Sequence, residues 1–315
     1  MTYKVLIIGL GNIGMNYDID LPKTNILSHA RAFDEHQEFE VSAGIDINIE
    51  NCKKFSNEYK KKTYNSIKEI TDKEIDVVVI ATPTNKHLSD IEEILKIISP
   101  KLILCEKPLS EKSVEANKIV DLCETKDVPL FLNFIRRTDP AFREVKEKLE
   151  TNEYEGPFKG ILWYTKGLLH NGSHFVDLFE YWFGELKRLK KVDYFDGMYL
   201  NDGQVDCYLE YDDASILCLG LNEKNYMNCS FELNGANGKI HCNPSNQLFW
   251  SSVNNSQESA VILNEPVKFA DDMSRYQFNI AQEIANILAG IKTELTTGQQ
   301  ALKCQLKLES MLEVS

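Results

Sequence analysis

The first residues with an evident chemical use form a glycine-rich turn near the start of the chain. Three glycines in the pattern Gly-x-Gly-x-x-Gly directly follow the apolar run Val5–Ile8. The first permits a tight turn, the second lets a pyrophosphate approach the backbone, and the third allows close packing of a helix on a strand. The position predicts a site for the phosphates of a dinucleotide. The residues assigned to it are Gly9, Gly11, Asn12, Ile13 and Gly14.

An acidic residue, Asp46, ends the second apolar run, Val41–Ile45. A carboxylate at this position accepts hydrogen bonds from the ribose hydroxyls of a dinucleotide and repels a 2′-phosphate. No arginine lies nearby, although Lys53 and Lys54 follow slightly downstream. The sequence therefore predicts NAD as the cofactor rather than NADP. The alternative is that Asp46 is a solvated turn residue.

The spacing of this acidic residue departs from the usual pattern. Asp46 lies 32 residues after Gly14, where about 20 is usual. A polar insertion, Asn16–Asn25, followed by a delayed helix around Ser28–Glu35, accounts for the difference.

Two further apolar runs, Val77–Ala81 and Leu102–Cys105, each lead into a polar segment. In a doubly wound sheet, ligands bind outside the carboxyl ends of the strands. Both segments are therefore assigned to the cofactor site. The assigned residues are Thr82, Pro83, Asn85, His87, Glu106 and Lys107.

Lys107 is also a candidate for acid–base chemistry. Pro108 disfavours a helical conformation at Lys107 and keeps it extended, which aims its side chain into the cleft. A partly desolvated lysine near the positive nicotinamide of NAD⁺ has a lowered pKa, as proton transfer requires. The alternative is an ordinary exposed loop lysine.

A third polar constellation runs from His170 to Asp177 in the second half of the chain. His174 lies at a predicted helix start, where the helix dipole disfavours the imidazolium, and Asp177 follows one turn later. Two histidines four residues apart also suit a metal. Asp177 is the one nearby carboxylate and no HExxH pattern occurs, so no metal site is predicted. The alternative for His174 is a helix cap.

The elements that carry these residues indicate two domains. The chain has 315 residues, 43% hydrophobic and 26% charged, as in soluble globular proteins. Residues 1–135 alternate buried apolar runs with amphipathic helices, which predicts an α/β, doubly wound parallel sheet. Residues 136–315 combine helices with period-two runs and tight turns, including Gln204–Tyr211, which predicts an α+β domain with a mostly antiparallel sheet.

Charge and cysteine content exclude several kinds of partner. The formal net charge is −13, and such an acidic chain lacks the positive field that binds nucleic acid. No apolar run approaches the roughly 18–20 residues that span a membrane, and no signal peptide is recognisable. The eight cysteines contain no CxxC pair, which favours buried thiols in a cytoplasmic protein.

Taken together, these motifs resemble the Gfo/Idh/MocA oxidoreductase family. The resemblance rests on the glycine turn, Thr82-Pro83 with Asn85 and His87, Glu106-Lys107-Pro108, and Gly172-Ser173-His174 with Asp177. It extends over essentially the whole chain, in the expected order.

The resemblance implies a Rossmann domain joined to a C-terminal domain with a large open sheet. It implies NAD(P)-dependent oxidation or reduction at a hydroxyl or keto carbon of a sugar, an inositol or a nucleotide sugar. Lys107 would be the acid–base or substrate-positioning lysine, and His174 its partner. A homodimer or homotetramer formed through the C-terminal sheet is also implied.

One position departs from the family pattern. Many members carry an aspartate four residues before the motif histidine, where this chain has His170. A histidine can contact the substrate but is no fixed negative partner, so the general base stays open between Lys107 and His174. The predicted catalytic residues are Lys107, His174 and His170. The predicted substrate residues are Lys107, Asn133, Arg136, Tyr164, Asn171, His174 and Asp177.

Two alternatives to an ordinary dehydrogenase stay open. Tightly held NAD could oxidise and then re-reduce the substrate, as in an epimerase, an eliminase or a sugar–sugar oxidoreductase. A non-catalytic sensor of a cofactor or a sugar is the other alternative, supported by His170 alone.

Overall fold

The structure of the chain is a computed structural model that describes residues 2–192, 205–254 and 261–312. The chain forms two compact units. The first consists of Met1–Thr138 and Ser274–Lys303, and the second of Asp139–Met273 and Cys304–Ser315. Within the described ranges, no helix combines the length and the apolar character needed to cross a lipid bilayer.

The first unit is built on a seven-stranded sheet whose central strands are apolar along their whole length. Because helices cover both faces of a parallel sheet, such strands need no polar positions. Six strands run parallel in the order β6-β5-β4-β1-β2-β3, and Thr296–Thr297 adds an antiparallel seventh beside β6. The six are β1 (Tyr3–Ile8), β2 (Phe39–Ile45), β3 (Lys62–Tyr64), β4 (Val77–Ile80), β5 (Leu102–Cys105) and β6 (Leu130–Leu132).

Four helices follow these strands and confirm the doubly wound prediction. The first begins late, as the inserted segment predicted, and Ser28 caps it by accepting a hydrogen bond from the backbone of Arg31. The four are α1 (His29–Glu35), α2 (Ile49–Tyr59), α3 (His87–Ile94) and α4 (Ser113–Thr125).

The second unit contains a nine-stranded sheet, which confirms the predicted α+β class. Seven strand pairs are antiparallel, and β7 and β10 are the one parallel pair among the described strands. Gln204, the first residue of one predicted run, lies outside the described residues. The strands are β7 (Phe158–Tyr164), β8 (Arg188–Lys191), β9 (Cys207–Glu210), β10 (Ala214–Gly220), β11 (Ser230–Asn234), β12 (Gly238–Cys242), β13 (Leu248–Asn254), β14 (Ile262–Leu263) and β15 (Val267–Lys268).

One face of this second sheet is packed and the other is open. Helices α5 (Pro140–Glu150) and α6 (Ser173–Phe183) share a hydrophobic core with the inward side chains of β7, such as Leu162. The alternate side chains of β7 point away from that core, and Ile161 and Trp163 are 41% and 37% exposed. The alternation follows from the period of two of a β-strand.

The chain returns to the first unit near its end, which differs from the predicted division into 1–135 and 136–315. Helix α7 (Tyr276–Leu288) buries Ile280 and Ile284 in the same apolar cluster as Phe33 of α1. Burial of this apolar stripe places Ser274–Lys303 with the first unit. Helix α8 (Gly298–Leu312) then ends the described chain.

Candidate active site

The glycine turn has the geometry that its sequence pattern requires. Gly9 has a φ of +97°, in the left-handed region that favours glycine, and a Cβ on Gly14 would collide with the Gly9 carbonyl oxygen. At Gly11, by contrast, an added Cβ would meet no atom within 4 Å. The backbone at Gly11 therefore faces open space, as expected of a position that a phosphate group approaches.

Asp46 is tied directly to this turn. Its Oδ2 accepts hydrogen bonds from the Leu10 backbone N–H at 2.8 Å and from Asn51 Nδ2 at 3.1 Å. Its Oδ1 accepts the Asn48 backbone N–H at 2.7 Å. A carboxylate has about four acceptor positions, so Oδ1 can accept a further bond from a ligand.

A cleft of about 810 Å³ lies at the carboxyl ends of β1, β2 and β4. Its described lining contains one cation, Lys86, and three carboxylates, Asp46, Asp90 and Glu93, and includes no arginine. The predicted cofactor residues that line it are Gly9, Gly11, Asn12, Ile13, Asp46, Thr82, Pro83 and Asn85.

His87 belongs to the framework of the cleft rather than to its lining. It is fully buried, with Nε2 3.0 Å from the Thr82 carbonyl oxygen and Nδ1 3.1 Å from that of Leu109. Thr82 in turn donates a hydrogen bond of 2.7 Å to Asp90 Oδ2. Burial raises the pKa of Asp90, and the bond from Thr82 opposes that rise.

Glu106 lies in the interior of the first unit, where three side chains meet. Its Oε1 faces His29 Nε2 at 2.8 Å and accepts a hydrogen bond of 2.5 Å from Asn133 Nδ2. Burial alone would raise the pKa of Glu106, but the bonds from His29 and Asn133 and the charge of Lys107 lower it overall. The carboxylate is therefore ionised, and His29 Nε2 donates to it.

The predicted site residues next to Glu106 differ in their burial. Asn133 is buried and bonded to Glu106, so it supports the loop from within. Lys107, the next residue after Glu106, is half-buried. Arg136, a predicted substrate residue, is buried.

The second unit presents its predicted polar residues at the start of α6. A single π-helical turn, Leu168–Gly172, leads into the helix. His170 is exposed, Asn171 and His174 are half-buried, and Asp177 is buried on the same helix face as His174. Among the residues that the structure describes, no three histidine, cysteine, aspartate or glutamate side chains are grouped as metal ligands would be.

Tyr164, a predicted substrate residue, lies in the core instead. Its side chain is fully buried, and its hydroxyl donates to the Val205 carbonyl oxygen at 2.6 Å and accepts from the Val205 N–H at 2.8 Å. The alternation along β7 directs it inward. A side chain with its hydroxyl occupied in this way cannot contact a substrate.

Sequence reasoning missed His29 and Tyr17. His29 directly follows the helix cap Ser28, and nothing in its local pattern indicates a partner 77 residues away. Tyr17 lies in the inserted segment and lines the cleft. An aromatic residue within a polar insertion is the signal that could have marked it.

Comparison with known proteins agrees with this geometry. Residues 3–134 match the family model GFO_IDH_MocA, described as an oxidoreductase family with an NAD-binding Rossmann fold. Over these residues the first unit is similar to the Gfo/Idh/MocA oxidoreductase family. Myo-inositol 2-dehydrogenase from Thermotoga maritima is 32% identical over 88 residues, which are 28% of this chain and 26% of that enzyme. The matches with the curated relatives cover less than half of those relatives' length.

Solved structures of two oxidoreductases share the fold over nearly the whole chain. An oxidoreductase from Agrobacterium radiobacter in complex with NAD⁺, L-tartaric acid and magnesium has a TM-score of 0.73 and 17% identity, covering 99% of this chain and 96% of that one. A 3-ketoreductase from Actinomadura kijaniata in complex with NADP and TDP-benzene has a TM-score of 0.74 and 15% identity, covering 99% and 97%. At these identities the likeness concerns the fold.

Removal of His29 tests the buried contact with Glu106. We expect His29→Leu to lower the free energy of unfolding by about 3 kcal/mol or more at neutral pH, because it leaves a buried carboxylate without its main partner. Since the folded pKa of Glu106 is lowered, this stabilisation is present above its ordinary pKa and is lost as the pH falls through the folded value. Urea unfolding at neutral pH and below the ordinary carboxyl pKa measures both effects.

The matched control is His36→Leu, a second buried histidine, which ends α1 and faces Gln282 at 3.3 Å. Among the described residues, His36 has no carboxylate partner, so we expect a smaller loss of stability. Equal losses for the two variants, with the same pH dependence, would contradict the ionised contact.

Proposed function

We propose that the protein is an NAD-dependent oxidoreductase that acts on a hydroxyl or keto carbon of a sugar, an inositol or a nucleotide sugar. The observation that carries the proposal is the glycine turn with Asp46 bonded to it at the edge of a large cleft. The family match over the same residues and the names of relatives, such as myo-inositol 2-dehydrogenase, support it.

In this proposal Lys107 handles the proton of the reacting hydroxyl, while the nicotinamide, when bound, supplies or accepts a hydride. Glu106 is held in the interior by His29 and Asn133, and this anchors the residue directly before Lys107. His174 acts as a neutral donor or acceptor at the start of α6, next to His170 and Asn171, which bind the substrate.

Replacement of Lys107 tests the role in proton transfer. We expect Lys107→Ala to reduce turnover by at least about 100-fold, the range of general acid–base catalysis, while the dissociation constant for NADH stays within about twofold. Turnover is followed by nicotinamide absorbance on a panel of sugars, inositols and nucleotide sugars. The exposed Lys118→Ala on α4 is the control. Full turnover in Lys107→Ala would refute the assignment.

A second candidate activity is a closed redox cycle, in which tightly held NAD oxidises the substrate and then reduces it again. Native mass spectrometry of the freshly purified protein distinguishes exchanged from retained cofactor. NAD that dilution cannot remove would favour epimerisation, elimination or transfer between two sugars over net oxidation or reduction of a substrate. Reversible binding with no turnover on any substrate would favour a sensor.

The proposed preference for NAD over NADP rests on Asp46 and on the absence of an arginine from the described cleft lining. We expect Asp46→Ala to reduce the ratio of the NADPH to the NADH dissociation constant at least about tenfold, because the variant loses a charged hydrogen bond and a repulsive charge. Calorimetric titration with both cofactors measures the ratio. Glu50→Ala, an exposed carboxylate on α2, is the control; an unchanged ratio in Asp46→Ala would refute the preference.

We also propose that a second copy of the chain covers the open face of the C-terminal sheet, giving a homodimer or homotetramer. Ile161 and Trp163 are exposed at the centre of that face, beside Ser230 and Glu232 of β11. Exposed apolar side chains on a flat sheet favour association.

Placing a charge on this face tests the interface. We expect Trp163→Glu to give monomers in light scattering during size-exclusion chromatography, because a buried unpaired carboxylate opposes association. The control is Tyr226→Glu, an exposed aromatic residue in the loop between β10 and β11. A wild-type monomer, or an unchanged oligomer in Trp163→Glu, would refute this interface.

A further inference from the structure

The inserted segment Asn16–Asn25, between the glycine turn and α1, is held by a buried polar network. The carboxylate of Asp18 is fully buried. Its Oδ2 accepts the backbone N–H groups of Leu27 at 2.6 Å and Ser28 at 2.8 Å, and its Oδ1 accepts the Ser28 hydroxyl at 2.7 Å. A buried carboxylate is tolerated because these bonds replace its hydration.

Arg31 holds the segment from the other side. Its Nη1 donates hydrogen bonds to the carbonyl oxygens of Leu21 at 3.2 Å, Pro22 at 3.2 Å and Asn25 at 3.1 Å. Its Nε lies 3.8 Å from Asp18 Oδ1. The segment therefore has a defined conformation, which the buried side chains of Asp18 and Arg31 fix through these hydrogen bonds.

This conformation presents Tyr17 to the dinucleotide cleft. Tyr17 lines the cleft and is 50% exposed, with no hydrogen bond from its hydroxyl to any described residue. Its neighbour Asn16 is fixed by a bond of 3.2 Å from Nδ2 to the Leu10 carbonyl oxygen. A large, partly exposed aromatic ring on a concave wall is a typical contact for a flat ligand ring.

The position of Tyr17 along the cleft follows from the strand order. Asp46 ends β2 on one side of β1, and Glu106 ends β5 on the other side. Asp18, the residue after Tyr17, is bonded to Ser28, and the next residue, His29, faces Glu106 Oε1 at 2.8 Å. These contacts connect the segment that carries Tyr17 to the Glu106 side of the sheet.

We propose that Tyr17 contacts the nicotinamide half of the bound dinucleotide and that the inserted segment holds it in that position. The inference rests on the proposed function, because it requires a nicotinamide dinucleotide in this cleft. With Asp46 at the adenosine ribose, the opposite half of the cofactor reaches the side of the cleft on which Tyr17 lies.

Two ligands that differ by the nicotinamide ring test this directly. NADH contains that half, and ADP-ribose lacks the nicotinamide ring. We expect Tyr17→Ala to weaken NADH binding about tenfold in calorimetric titration and to change ADP-ribose binding less than about twofold. Tyr17→Phe retains the ring, so we expect NADH binding within about twofold of the wild type.

Two control variants fix the interpretation. Leu21→Ala changes another exposed residue of the segment and should affect neither ligand. Asp46→Ala should weaken both, because both contain the adenosine ribose. If Tyr17→Ala does not fold, Tyr17→Leu replaces it, with the same expected loss of NADH binding.

The outcomes separate this inference from the cofactor assignment. A wild type that binds neither ligand overturns both. A wild type that binds both, with Tyr17→Ala weakening neither or weakening both equally, overturns the inference alone. If the protein binds NADPH instead of NADH, the same comparison uses NADPH and 2′-phospho-ADP-ribose.

Discussion

The chain can turn after β1 only because two positions there lack a side chain. Gly9 takes a positive φ, and Gly14 lies so close to the Gly9 carbonyl oxygen that a Cβ would not fit. This close approach brings the turn at Asn12–Asn16 against the end of β1, and the Leu10 N–H then faces Asp46 Oδ2. The backbone and the acidic side wall of the cleft both follow from this one steric constraint.

Elements with a strong burial requirement could be predicted from the sequence. The strand Val77–Ile80 is apolar at every position because both of its faces are covered, and Ser173–Phe183 carries a continuous apolar stripe. The strands Lys62–Tyr64 and Arg188–Lys191 were missed because they are short and mostly polar. Their hydrogen bonds to neighbouring strands define them, and no local pattern distinguishes them from loops.

The candidate site shows the same division between local and distant causes. Asp46 and the glycine turn could be found because each directly follows an apolar strand of one βαβ unit. Leu102 and Leu104 lie on one face of β5 and pack in the apolar cluster beside α1 and α7. Glu106, two residues further on, is expected on the same face. That alternation predicts the direction of the Glu106 side chain, but it does not predict that His29 contacts the carboxylate there. Contacts between residues far apart in sequence depend on packing, which no short pattern encodes.

The buried ring of His87 joins two loops that lie apart in the sequence. It is wedged between the carbonyl oxygens of Thr82, on the cofactor cleft, and Leu109, two residues beyond Lys107. Because the interior around it is close-packed, the distance between these loops cannot change without displacing the ring. The ring therefore sets the separation between the loop that lines the cleft at Thr82 and the loop that carries Lys107.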